Sequence, residues 1–134
     1  TGIKYDIYAQ KINSLGQVQW TDNGVAISRA ANGQGEPRLV SDGVGGAIIA
    51  WIEGRAGIGI WDVYAQRIDS NGNVLWQTDG VVVCDALSYQ QNPIIVSDNL
   101  GGAIISWVDQ RERRAAPSRE DHPPRLDAPE GPWL

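Results

Sequence analysis

Trp61, Tyr89, Arg55, Gln90 and Asp85 are the side chains of this chain best suited to hold a ligand, with Tyr5 at the position equivalent to Trp61. They fall in two connections, Glu53-Gly54-Arg55-Ala56-Gly57-Ile58-Gly59-Ile60-Trp61 and Asp85-Ala86-Leu87-Ser88-Tyr89-Gln90-Gln91. Aromatic rings beside amides and an arginine suit the faces of sugars or the side chains of a peptide. Loops carried on a rigid scaffold are where binding concentrates. The competing reading is plain loop variation, with Trp61 packed between structural units.

No catalytic set accompanies them. His122 is the only histidine, which removes most triads, imidazole acid–base schemes and histidine metal sites. Cys84 is the only cysteine, so no intrachain disulfide forms, and it reads as a small half-buried side chain near a strand end. Asp69-Ser70-Asn71-Gly72-Asn73 touches the pattern of a calcium loop but lacks the downstream bidentate glutamate, and a turn is the better reading. Gly43-Val44-Gly45-Gly46 joins two strands and meets no helix, so it is not a phosphate cradle. Asp42 and Asp98 are expected to cap their own hairpins, while Asp6 and Asp62 are open to bridging units or holding a cation. No cofactor, metal or catalytic residue is assigned.

The scaffold is a tandem copy. Residues 5–55 return as residues 61–111 at a fixed spacing of 56, and 24 of the 51 aligned pairs are identical, so one supersecondary unit is stacked on itself. The two hairpin turns inside a unit are nearly the same in both copies, whereas Arg29–Gly35 and Asp85–Gln91 differ. Those variable connections, with the one ending at Trp61, are expected on a single rim.

Each copy reads as four extended segments. The first begins at a proline, as Glu36–Ser41 and Asn92–Ser97, where a missing N–H does least harm. A glycine-rich turn leads to Ala47–Ile52 and Ala103–Val108, so apolar throughout that both faces must be covered. Asp6–Ile12 and Asp62–Ile68 mix polar and apolar positions, as expected farther from the core. After a turn, Val18–Trp20 with Gly24–Ile27, and Val74–Trp76 with Gly80–Val83, form the outermost strand. Trp20, Trp51, Trp76 and Trp107 recur once per copy and read as packing residues.

Four short antiparallel strands per unit make an all-β chain of β-propeller-like blades. The order begins at the third strand of one blade, runs through a complete blade and stops after the second strand of another: half, whole, half. Propellers close with about 4–8 blades. The chain is therefore a slice of a longer protein, a subunit whose leading strands complete a neighbour's trailing blade (three chains making six blades), or two copies folded as a sandwich. Thr1 in place of Met points to a processed product or a piece of something longer. Residues 112–134 hold five of the seven prolines and no β-branched residue, and read as a disordered tail or linker beyond the repeats of residues 1–111. A net charge of -5 with no basic face argues against nucleic acid, and no apolar run is long enough for a membrane span.

The run Asp62-Val-Tyr-Ala-Gln-Arg-Ile-Asp-Ser-Asn-Gly-Asn-Val-Leu-Trp76, with Gln91–Asp98 and Gly101–Trp107, resembles repeats of large bacterial secreted or cell-surface proteins. Those repeats are taken as propeller blades, distantly similar to Asp-box and sialidase-type propellers. Gly16 and Gly72 lie four residues before Trp20 and Trp76, whereas the Asp-box places its glycine three before, so that motif is not met. The resemblance implies an extracellular or surface setting and a non-catalytic module for binding or assembly, its partners being itself, flanking repeats, carbohydrate or protein. Rival readings are a fragment of a sialidase-like glycan-processing enzyme and a structural spacer. Against the enzyme, Arg29, Arg38, Arg55, Arg67 and Arg111 are scattered and form no carboxylate-gripping cluster.

Overall fold

A computed structural model describes residues 4–57 and 59–111; the expected tail at 112–134 lies outside the described residues. Within them the chain is all-β, with no helix and eight antiparallel strands in three sheets. β1 (Ile7–Ala9) pairs with β2 (Val25–Ser28). β3 (Gln34–Ser41), β4 (Ala47–Glu53), β5 (Asp62–Ile68) and β6 (Val81–Cys84) form a four-stranded meander. β7 (Gln90–Ser97) pairs with β8 (Ala103–Asp109). One repeated sequence is thus divided as half a sheet, a whole sheet and half a sheet.

Hairpin chemistry sets the registers. Asp42 Oδ1 accepts the N–H groups of Val44 and Gly46, both at 2.9 Å, and Asp98 Oδ1 does the same for Leu100 and Gly102. Gly43 and Gly45, and Asn99 and Gly101 in the second copy, take positive φ there, as a tight turn requires. Asp69 closes the β5 turn by accepting from the Asn71 and Asn73 N–H groups. This is the turn that a calcium loop only superficially resembles.

The strands depart from expectation in three respects besides β1, which spans only Ile7–Ala9 of the expected Asp6–Ile12. β3 and β7 start two residues before their predicted openings at Glu36 and Asn92, which adopt positive φ. The ladder slips there, between Gly35 and Arg38 and between Gln91 and Ile94, so each proline sits in a bulge inside its strand. The outermost strand is shorter than expected: Val18 and Val74 make only isolated bridges to Ile12 and Ile68. The third correction concerns β5, which is buried along nearly its whole length despite its polar residues. Its Gln66 turns inward, donating to the Gln77 carbonyl and accepting from the N–H groups of Arg67 and Trp76.

The core lies between the β1–β2 pair and the complete sheet. Ile7 and Ile27 pack there against Ile49, Trp51, Tyr64 and Ile68, with Trp20 partly buried alongside. The opposite face of β4 is covered by β7. Being sandwiched explains why every residue from Ile48 to Glu53 is buried. Backbone approach is close: a Cβ at Gly80, already at φ +89°, would overlap the Trp51 ring and the Ala65 carbonyl. Glycine is required at that position on both counts.

Candidate functional site

Glu53 ends β4 directly opposite Asp62, which begins β5. Glu53 is fully buried, and a buried carboxylate needs partners. Trp51 Nε1 donates to its Oε2 at 2.8 Å and Ser28 Oγ at 3.3 Å, while Arg55 forms an ion pair with Oε1. The Arg55 guanidinium also lies 3.9 Å from the centre of the Tyr64 ring and donates to the Asp79 carbonyl. Tyr64 in turn stacks on Trp51 at 6.4 Å.

The second copy rebuilds this set. Trp107 Nε1 donates to Asp109 Oδ2 at 3.2 Å, Arg111 pairs with the same carboxylate, and Cys84 replaces Ser28. The Arg111 hydrogen bonds hold Asp109 well below the usual carboxylate range, with help from Trp107. Spacing alone carries the signal for this feature, because Trp-x-acid-x-Arg occurs at 51, 53 and 55 and again at 107, 109 and 111. Arg55 therefore belongs to the scaffold, with its guanidinium committed to Glu53, Asp79 and Tyr64.

Of the other expected binding residues, Trp61, Tyr89 and Gln90 come together, and Tyr5 does not join them. Gln90 N–H donates to the Trp61 carbonyl at 2.9 Å, just as Gln34 N–H donates to the Tyr5 carbonyl at 2.8 Å in the first copy. Trp61 and Tyr89 face each other with ring centres 6.4 Å apart and planes tilted by 59°, both rings half-buried. Gln90 supports this pair from beneath: it is fully buried and its amide donates to the Ala86 and Ser88 carbonyls. Asp85 is exposed and near enough to Asp62 to act on its carboxyl. Tyr5 stands apart, exposed on the β1–β2 side, where an open cleft of about 590 Å³ is lined by Tyr5, Tyr8, Gln34 and Pro37.

Asp62 follows Trp61 directly in the chain. It is buried, and its Oδ1 has no partner among the described residues. Burial raises its carboxyl above the ordinary value, and the charges of Asp85 and Glu53 raise it further against the pull of Arg55. A raised folded-state pKa contributes stability that is complete below the unfolded value and is lost as pH rises through the folded value. Asp42 behaves oppositely, lowered chiefly by the Val44 N–H and also by Arg67, so its contribution is lost as pH falls. Asp62→Asn is therefore expected to raise the urea midpoint at pH 7 and to flatten the loss of stability above about pH 4. Equal stability of the two proteins across that range would show that Asp62 carries no such cost.

Comparison with family models, curated protein sequences and solved structures finds no match to this chain.

Proposed function

We propose that this chain is a non-catalytic β-propeller-type module, serving binding or assembly in a secreted or cell-surface bacterial protein. The observation that carries the reading is the Trp61–Tyr89 pair, standing where the two copies differ and supported by a framework that the two copies share. A repeat that keeps its hairpin caps and its Trp–acid–Arg set while varying one rim behaves as a scaffold with an adaptable surface. The half, whole and half sheets match the strand order of successive blades. Two rings at a wide tilt offer apolar contact to a sugar face, and the exposed Asp85 at the start of the Tyr89 connection offers an acceptor to its hydroxyls.

A glycan array probed with the chain and with Trp61→Ala tests this. Specific binding that falls at least tenfold in Trp61→Ala, with thermal unfolding little changed, is the expected result. Turnover of a bound glycan would instead place the chain with glycan-processing enzymes. Silence toward glycans and peptides alike would leave a structural spacer.

A further inference from the structure

The two half sheets are unequal to the complete one in a systematic way. Tyr64 is 9% exposed but its counterpart Tyr8 is 51%, and Ile68 is 0% exposed against 63% for Ile12. On the other half sheet, Ile48 at 1% contrasts with Ile104 at 63%, and Ile52 at 6% with Val108 at 50%. Pro93 is fully buried while Pro37 lines the open cleft beside Tyr8. Trp20 packs on Gly72 and donates to the Ser70 carbonyl at 3.0 Å, whereas Trp76 is exposed and Gly16 has nothing near it. Tyr8 and Ile12, uncovered on the β1–β2 side, are the homologues of Tyr64 and Ile68, which lie on the strand paired with β4. Ile104 and Val108, uncovered on the β7–β8 side, are the homologues of Ile48 and Ile52 on the face of β4 that β7 covers.

We infer that β8 of one copy pairs with β1 of a second copy to make a composite four-stranded blade, in the order β7, β8, then the partner's β1 and β2. The proposal rests on the blade reading above and names the partner as this same chain. The β4–β5 ladder supplies the register, since Ala47 opposes Ile68, Ala50 opposes Ala65 and Trp51 opposes Tyr64. Moved by one repeat, Ala103 opposes the partner's Ile12, Ser106 the partner's Ala9, and Trp107 the partner's Tyr8. Ile105 and Trp107, with Val63 and Val83, then gain the two side chains that their counterparts in the core cluster already have.

Charge follows the same shift. Arg67 reaches from β5 to Asp42 at 3.0 Å, and the homologous pair is the partner's Lys11 with Asp98. The partner's β3, bearing Pro37, covers Ile104 and Val108 as β7 covers β4. The contact is head-to-tail, so it closes a ring when the rotation permits. Two, three or four chains give four, six or eight blades, the range in which propellers close.

The full chain, with Cys84→Ser, Ala9→Cys and Ser106→Cys, is the reagent for the test. Mild oxidation is expected to give covalent oligomers that end at one discrete size, equal to the native mass of the unmodified chain at tens of micromolar. The out-of-register pair Ala9→Cys with Ile104→Cys is expected to cross-link at least tenfold less. Ile12→Asp places a charge on a side chain that is exposed in the single chain and buried in the composite blade. It is expected to weaken association at least 100-fold while leaving the far-ultraviolet circular dichroism unchanged. A monomeric native mass, equal cross-linking of both cysteine pairs, or an oligomer indifferent to Ile12→Asp would each overturn the composite blade. None of these would touch the rim reading, which stands or falls on ligand binding by Trp61.

Discussion

Glu53→Ala is expected to destabilise the chain by about 3–5 kcal/mol, the range for removing one member of a buried ion pair. The size follows from what is left behind. Arg55 is only partly exposed, and without Glu53 its guanidinium loses its ion pair while held against Tyr64 and the Asp79 carbonyl. Trp51 Nε1 and Ser28 Oγ lose their acceptor inside the core, and an unmet buried donor costs about 1–3 kcal/mol. Glu53→Gln separates the contributions, because the amide oxygen still accepts from Trp51 while the charge is gone. Its cost should fall between those of wild type and Glu53→Ala in urea unfolding. Asp109→Ala removes the same kind of group from a site where Arg111 is exposed, so its effect on the single chain should be smaller. A cost below about 1 kcal/mol for Glu53→Ala would mean that Arg55 swings into solvent and that the network adds little.

The half, whole and half division was legible because the copy spacing is constant and the turn residues mark each strand. The continuous apolar run at Ala47–Ile52 announced a strand covered on both faces, and the described β4 is covered so. Its copy at Ala103–Val108 has the same pattern yet leaves Ile104 and Val108 exposed, because burial depends on which neighbours the chain contains. β5 was misplaced toward the surface for a related reason. Asp62 and Gln66 look like solvent-facing residues until their hydrogen bonds are known, and Gln66 meets three main-chain groups inside the sheet. Position inside the strand likewise hid the role of the prolines, since a bulge set by positive φ at Glu36 and Asn92 leaves no compositional mark. For the rim, the strand order of a blade put the connections bearing Trp61 and Tyr89 on one side, and the two rings lie 6.4 Å apart. Burial then divided the remaining candidates, turning Gln90 and Arg55 into supports and leaving Asp85 and Tyr5 in solvent.

Trp51→Ala is expected to cost about 3–5 kcal/mol, and Trp107→Ala much less when the protein is dilute. Trp51 is wholly enclosed between the β1–β2 pair and its own sheet, stacked on Tyr64 and bonded to Glu53, so its removal opens a large cavity lined by Ile7, Ile27 and Ile49. Trp107 is only half-buried, with its Nε1 on Asp109, and among the described residues nothing stands over it where Tyr64 and Ile68 flank Trp51. A composite blade supplies those flanks through the Tyr8 and Ile12 of a second copy. The cost of Trp107→Ala should then grow with protein concentration, because anything that favours the assembled state adds to apparent stability by mass action. Trp51→Ala should show no such dependence, since its surroundings come from one chain. Thermal unfolding of both variants, followed over a hundredfold range of concentration, separates the cases. A Trp107→Ala deficit that is constant across that range would place the whole of its packing within a single chain and remove the energetic reason for two copies to meet at β8.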